Sequence, residues 1–204
     1  MVRIRRPPPT ANLLIDPVYE VIPAGAELLR IYDPRFPGFK YWGPNARFDH
    51  HLRPAARPGI DSERATLYVA RTLSCCVVET FGDTRIIEPG DLIVARLRVA
   101  RDVTLLDLRK NGAMRAGTEV ALAHAADHRL SQRWSRFFYT DPRFAVMEGI
   151  AYSSAHNEED CIVLYERAEL AIEWKVLPHT RLAHPSLEND LVQIALDNGL
   201  LMDI

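Results

Sequence analysis

Lysine is almost missing from this sequence: Lys40, Lys110 and Lys175 are the whole complement, and the rest of its 25 basic residues are arginine. Arginine grips phosphate and carboxylate through two parallel N–H bonds, which lysine cannot do, although drift in base composition produces the same bias. An excess of either sign is missing too. The 25 basic and 27 acidic residues leave a formal charge of −2, which removes the electrostatic case for non-specific attachment to nucleic acid or to an anionic membrane. No apolar run approaches the length that crosses a bilayer. The basic residues 1–10 lead into Pro7-Pro8-Pro9 and lack the apolar stretch of a signal peptide. Cysteine is limited to Cys75, Cys76 and Cys161. Adjacent thiols are badly spaced for one tetrahedral metal ion or for a disulfide, and an odd count fits a reducing compartment. A cytoplasmic protein without a metal is the expectation. Also missing are Gly-x-Gly-x-x-Gly, a Walker loop, His-Glu-x-x-His and Gly-x-Ser-x-Gly, so none of the enzymes that announce themselves by those motifs is indicated.

What is present describes one globular domain, with or without an appendage. Apolar residues make up 48% of the 204 positions and charged residues 25%, enough to bury a core without disulfide or metal staples. Residues 1–27 read as an extended, proline-rich lead-in. Residues 28–32 have the pattern of a first strand. Prolines and glycines then force a loop that is dense in rings: Phe36, Phe39, Tyr41, Trp42 and Phe48. Such rings either cover a core edge or line a pocket. After a second Pro/Arg/Gly stretch at 53–59, residues 66–70 read as a strand and 71–81 as a helix stopped by Gly82. On that helix Ser74, Val78 and Gly82 share one face, and Cys75 and Glu79 the next.

A strand at 92–99 is expected to pair with 103–108 or with 84–87. Residues 118–139 read as helical with a break near His128. Strands at 149–152 and 161–165 flank a polar loop, and 170–176 reads as another strand. The tail, 186–200, has the pattern of an amphipathic helix with Ser186 as N-cap and Leu187, Leu191, Ile194 and Ala195 on one face. Its apolar stripe must be buried on the domain, on a second copy or on a partner. Strands and helices mix without regular alternation, so the fold class is α+β.

Leu29-Arg30-Ile31 would be an opening strand with its arginine. Asn45-Ala46-Arg47-Phe48-Asp49-His50-His51 has an arginine before a ring and an acid. Thr66-Leu67-Tyr68-Val69-Ala70 is followed by Val77-Val78-Glu79-Thr80, and Gly149-Ile150-Ala151-Tyr152-Ser153-Ser154 comes last. Taken in this order the four segments resemble the RES family, named for its Arg, Glu and Ser residues, over residues 28–170. Ala46 stands where the family commonly has glycine, and the spacing after Tyr152 selects Ser154 over Ser153. The resemblance implies an ADP-ribosyltransferase-like fold of mixed, mostly antiparallel sheets with flanking helices. It implies NAD as substrate, with no cofactor besides, and cleavage of the bond between nicotinamide and ribose by a glycohydrolase or phosphorylase. It also implies a toxin neutralised by a helix-turn-helix antitoxin protein. The catalytic domain would span 28–176, with 177–204 as a helical appendage through which the chain could also form a homo-oligomer. A mono-ADP-ribosyltransferase acting on a protein and a nucleotide-binding module without turnover are the competing readings.

The chemistry suits the residues. Loss of nicotinamide leaves a ribose with oxocarbenium character, and a nearby carboxylate stabilises that charge where it develops. Glu79 is the candidate; a solvent-facing glutamate near a helix end is the bland alternative. Arg30 and Arg47 are the candidates for the pyrophosphate, with Arg47 also assigned to catalysis. Their alternatives are a strand-edge ion pair and a surface loop arginine. Tyr68 would stack on nicotinamide or ribose, or simply pack in the core. Ser154, assigned to catalysis and to substrate binding, would bond a ribose hydroxyl, the pyrophosphate or Glu79. His50-His51 beside Asp49 invites a metal, but adjacent strand residues face opposite ways. Loop polarity or a ligand-facing imidazole is expected there, and Trp134 is expected in the core.

Overall fold

The computed structural model describes residues 4–9, 14–36, 38, 45–51 and 63–203. Phe39, Tyr41, Trp42 and the stretch 53–59 lie outside the described residues, and with them most of the ring-rich loop. The segment expected as an extended lead-in contains the first strand, β1 (Tyr19–Ile22), ahead of β2 (Glu27–Tyr32). Next come β3 (Thr66–Ala70), helix α1 (Leu73–Phe81), β4 (Ile86–Ile87), β5 (Ile93–Val99) and β6 (Val103–Asp107). A short helix α2 (Gly112–Arg115) and a 3-10 turn at Val120–His124 precede α3 (His128–Thr140), so the expected break near His128 is the start of α3. The remaining elements are β7 (Gly149–Ser153), β8 (Asp160–Tyr165), β9 (Ile172–Glu173), β10 (Thr180–Arg181), α4 (Glu188–Asn198) and β11 (Leu201–Met202).

The class is α+β. One sheet runs β1-β6-β7-β8-β3-β2-β5-β10, with β9 also on β5, and β4 pairs with β11 in a second, small sheet. Among the described residues only β6–β7 and β4–β11 are parallel. The expected partners of β5 are therefore corrected. It pairs with β2, β9 and β10, because β6 is taken by β1 and β7 and β4 by β11. Sequence proximity suggests a β5–β6 hairpin, yet the two strands stand five places apart. In a flat sheet that is about 24 Å at 4.8 Å per strand, whereas the chain from Val99 to Val103 reaches at most about 15 Å. The sheet must curl to bring its ends together.

Alternation along the strands then sorts two cores. Leu67, Val69, Leu97, Val99, Val103, Leu105, Ile162 and Leu164 share one cluster inside the curl. Tyr68, Ala70, Cys161, Val163 and Tyr165 face the other way and pack with Phe48, Trp134, Phe138 and Phe144, where α3 covers the sheet. Gly149 fits here for lack of space: a Cβ would lie 2.4 Å from the Val163 carbonyl oxygen.

The strand expected at 170–176 is only the two-residue β9, because a 3-10 turn occupies Glu166–Ala171. The tail helix starts at Glu188 after a 3-10 turn at Pro185–Leu187, so Ser186 is not its N-cap. It ends at Gly199, which adopts the left-handed φ of 62° that a side chain disfavours. Leu191, Ile194 and Ala195 bury against Val77, Val78 and Phe81 of α1. The stripe is covered by the domain itself.

Candidate active site

The site begins where β3 hands over to α1. Thr72 caps the helix, its hydroxyl accepting from Cys75 N at 3.0 Å. Cys75 and Glu79 sit one turn apart on one face, and while Cys75 is buried, Glu79 opens to solvent. Gly82 ends the helix as expected, but in a right-handed conformation. Its requirement is room: a Cβ would meet His156 Nδ1 at 2.5 Å, from the loop between β7 and β8.

A cleft of about 310 Å³ opens here, with Arg30, Arg47, Tyr68 and Glu79 in its walls. Four of the five expected residues therefore share one lining. The fifth, Ser154, is fully buried and stands behind Glu79, its hydroxyl donating to Glu79 Oε1 at 2.5 Å. Of the three partners considered for Ser154, the structure supplies Glu79. Ser154 itself does not line the cleft.

The two arginines of the cleft share a property. Arg30 donates from NH1 to the Tyr68 carbonyl at 3.0 Å, and its buried Nε has no partner among the described residues. Burial holds its guanidinium below the usual arginine range, with smaller opposing contributions from Cys76, Tyr32 and Tyr68. Arg47 donates to the Ala125 carbonyl. Neither makes an ion pair among the described residues, whereas Arg71, Arg96, Arg98, Arg101 and Arg109 each hold a carboxylate. Two uncompensated guanidiniums in a cleft are poised for an anion.

The loop bearing Arg47 is held on every side. Phe48 N donates to the Tyr68 hydroxyl at 2.8 Å, Gln132 Nε2 to the Ala46 carbonyl at 2.9 Å, and His128 Nδ1 lies 3.0 Å from the Asn45 carbonyl. Tyr68 thus does more than offer a ring, since its hydroxyl fixes the backbone next to Arg47. Asp49, not singled out among the candidate site residues, ties this loop down as well. It is buried, accepts from Ala46 N at 2.6 Å and from the Thr66 hydroxyl, and burial raises its pKa to about 6 against those two bonds. The signal available in the sequence was its place two residues after Arg47.

The histidines are corrected. Both are buried and neither lines the cleft. His50 packs between Tyr139 and Tyr165, with ring centroids 4.4 and 4.3 Å away, and its Nε2 lies 3.1 Å from Glu166. Burial pushes its pKa down. Core packing against the rings of α3 and β8 replaces the expected loop polarity or ligand-facing imidazole. Trp134 is in the core, its indole N–H donating to Arg5 O at 2.8 Å.

Cys75, Cys76 and Cys161 are free, buried and set in the cleft wall. Cys75 and Cys161 sulfurs lie 3.1 Å apart. Burial pushes the Cys76 thiol up to about 12, and the contact with Cys75, together with burial, raises that of Cys161. Such thiols are poor nucleophiles. Among the described residues no group of three or more His, Cys, Asp and Glu side chains could hold a metal ion, and no helix is long and apolar enough to cross a membrane.

A curled, mostly antiparallel sheet with a carboxylate and two guanidiniums in one cleft, neither guanidinium in an ion pair among the described residues, defines an α+β domain with a charged cleft. The RES domain pattern matches residues 27–184, and the chain belongs to the RES-domain family. Among solved structures it is similar to a chain of the M. tuberculosis MbcT–MbcA toxin–antitoxin complex, with a TM-score of 0.58 and 14% identity over 84% of this chain and 91% of that one. No curated protein matches the sequence.

Proposed function

We propose that this protein is an NAD-degrading enzyme that breaks the bond between nicotinamide and ribose, and that it is the toxin of a toxin–antitoxin pair. The observation that carries the reading is the Glu79–Ser154 pair at the edge of a cleft that also contains the guanidiniums of Arg30 and Arg47, neither in an ion pair among the described residues. The cleft volume of about 310 Å³ falls at the low end of small-molecule sites, roughly 300–1,000 Å³, and suits one half of a dinucleotide.

In this reading Arg30 and Arg47 take the pyrophosphate and Tyr68 lies against the nicotinamide riboside. As the glycosidic bond lengthens, positive charge leaves the pyridinium and develops on the ribose. The Glu79 carboxylate stabilises it there, with its orientation fixed by the Ser154 hydroxyl. Nicotinamide departs neutral. Water then adds to the ribose carbon and releases a proton, giving ADP-ribose, or phosphate adds and gives the phosphorylated sugar. The likeness to a toxin–antitoxin complex supports a protein partner of the same kind, a helix-turn-helix antitoxin in the family's usual arrangement.

The deciding experiment is product analysis of the purified protein with NAD, with and without phosphate. Free nicotinamide with ADP-ribose alone makes it a glycohydrolase, and a phosphate-dependent product makes it a phosphorylase. Label transferred from NAD to protein would make it a mono-ADP-ribosyltransferase. Saturable binding of NAD without turnover would overturn the enzyme reading in favour of a binding module.

A further inference from the structure

The family pattern ends at residue 184 and α4 begins at Glu188, so this helix lies beyond it. Yet Asn198, its last residue, reaches the loop that carries Ser154. The Asn198 Oδ1 accepts from Asn157 Nδ2 at 3.0 Å, and its own Nδ2 donates to the Ile194 carbonyl at 2.9 Å, which fixes the side chain on the helix. The Asn157 amide also donates to Glu159 Oε1 at 2.6 Å, while its oxygen accepts from Glu159 N at 3.2 Å. The Glu159 carboxylate then accepts from the hydroxyls of Thr72 and Ser74 at the start of α1. A carboxylate at a helix N-terminus is favourably placed.

This chain of bonds joins the two halves of the site. Glu159 holds the first turn of α1, whose second turn presents Glu79, and its backbone carbonyl accepts from Ser154 N at 2.8 Å. Between them Glu158 takes a φ of 62°, a conformation that side chains other than glycine rarely adopt. Such a loop keeps its shape through ties from outside, and Asn157–Asn198 is one. None of Asn157, Glu159 and Asn198 lines the cleft.

We propose that Asn198 is a positioning residue for the Glu79–Ser154 pair, acting through Asn157 and Glu159, which makes α4 a working part of the site. The proposal rests on the reading of Glu79 as the group that meets the ribose. Its physical content is direction: the Ser154 hydroxyl has one proton to give, and a tilt of the loop points it away from Glu79 Oε1. The arginines are untouched, so the ground-state grip on substrate is kept.

The test uses the full chain carrying Asn198→Leu, with Asn157→Ala breaking the same link from the loop side and Leu196→Ala, exposed on α4, as control. Amide hydrogen exchange over residues 153–160 is expected to quicken by about tenfold or more in the first two and to stay unchanged in the control. With NAD, kcat is expected to fall roughly tenfold while KM stays within about twofold, as for a displaced catalytic group. Unchanged exchange in both variants would overturn the proposal, and so would quicker exchange with unchanged kcat. If the wild type consumes no NAD while exchange responds as expected, the tie of α4 to the loop is supported and the NAD reading alone is lost.

Discussion

At the residue scale the proposed function divides the site into groups that hold and one that acts, and substitution separates them. Glu79→Gln keeps the size of the side chain and its bond from Ser154 but discards the charge. Turnover of NAD is expected to fall by a factor on the order of 10² with little change in affinity, since the stabilised charge exists only in the transition state. Arg47→Ala removes a guanidinium that holds no carboxylate among the described residues, so affinity is expected to fall together with kcat/KM. Calorimetry beside steady-state rates reads both, and an Arg47→Ala protein that binds as tightly as wild type would remove Arg47 from the ligand. Arg47, Tyr68 and Glu79 were legible because each sits in a short segment of recognisable order. Asp49 was legible only as the acid two residues after Arg47. Its bond from Ala46 N is local, but the one from the Thr66 hydroxyl comes from 17 residues away on β3, and nothing local in the sequence reports that contact. The buried place of His50 was hidden for the same reason: its neighbours are rings of α3 and β8.

At the scale of elements, α1 and α4 lean on one another across a shared apolar seam. Leu191 is 1% exposed there and meets Val77, Val78 and Phe81 through the same cluster. Leu191→Ala is expected to cost about 2–5 kcal/mol, the range for buried leucines, measured by urea unfolding with an unchanged slope. Removing residues 186–204 strips the cover that α4 gives to α1 and Leu182, and is expected to leave a chain that aggregates. A truncated chain that stays soluble and binds NAD would show the seam to be dispensable. The helical stripe of α4 was legible because a period of 3.6 survives in Leu191, Ile194 and Ala195. Its partner was not, since an amphipathic pattern says that a face is buried and not against what. The strands at β3, β7 and β8 were readable from their apolar runs. The partners of β5 were misjudged because a three-residue connection suggests a hairpin, and the curl of the sheet is a property of all its strands together.

At the scale of the whole molecule, stability integrates such local choices, and Asp49 is the clearest case. Its carboxyl titrates at about 6 in the folded chain because burial disfavours the charge, against about 3.9 when unfolded. Between those values the folded state binds the extra proton. Stability from this group is therefore fully present below the unfolded value and is lost as the pH rises through about 6. The gap between the folded and unfolded values is worth about 3 kcal/mol. Other carboxylates act in the opposite sense: Asp141 is held low by its bond to Arg143, and its contribution is lost on acidification. The raw pH profile mixes both. Asp49→Asn isolates one, because an amide accepts from Ala46 N and donates to the Thr66 oxygen without ever charging. The stability of wild type minus that of Asp49→Asn is expected to fall by about 2 kcal/mol between about pH 4.5 and 7.5, most steeply near 5, midway between the unfolded and folded values, and to level off above 6. Urea unfolding of both proteins across that interval measures it. A flat difference would mean that Asp49 is solvated in the folded chain, and that the Arg47 loop is held by Tyr68, Gln132 and His128 without it.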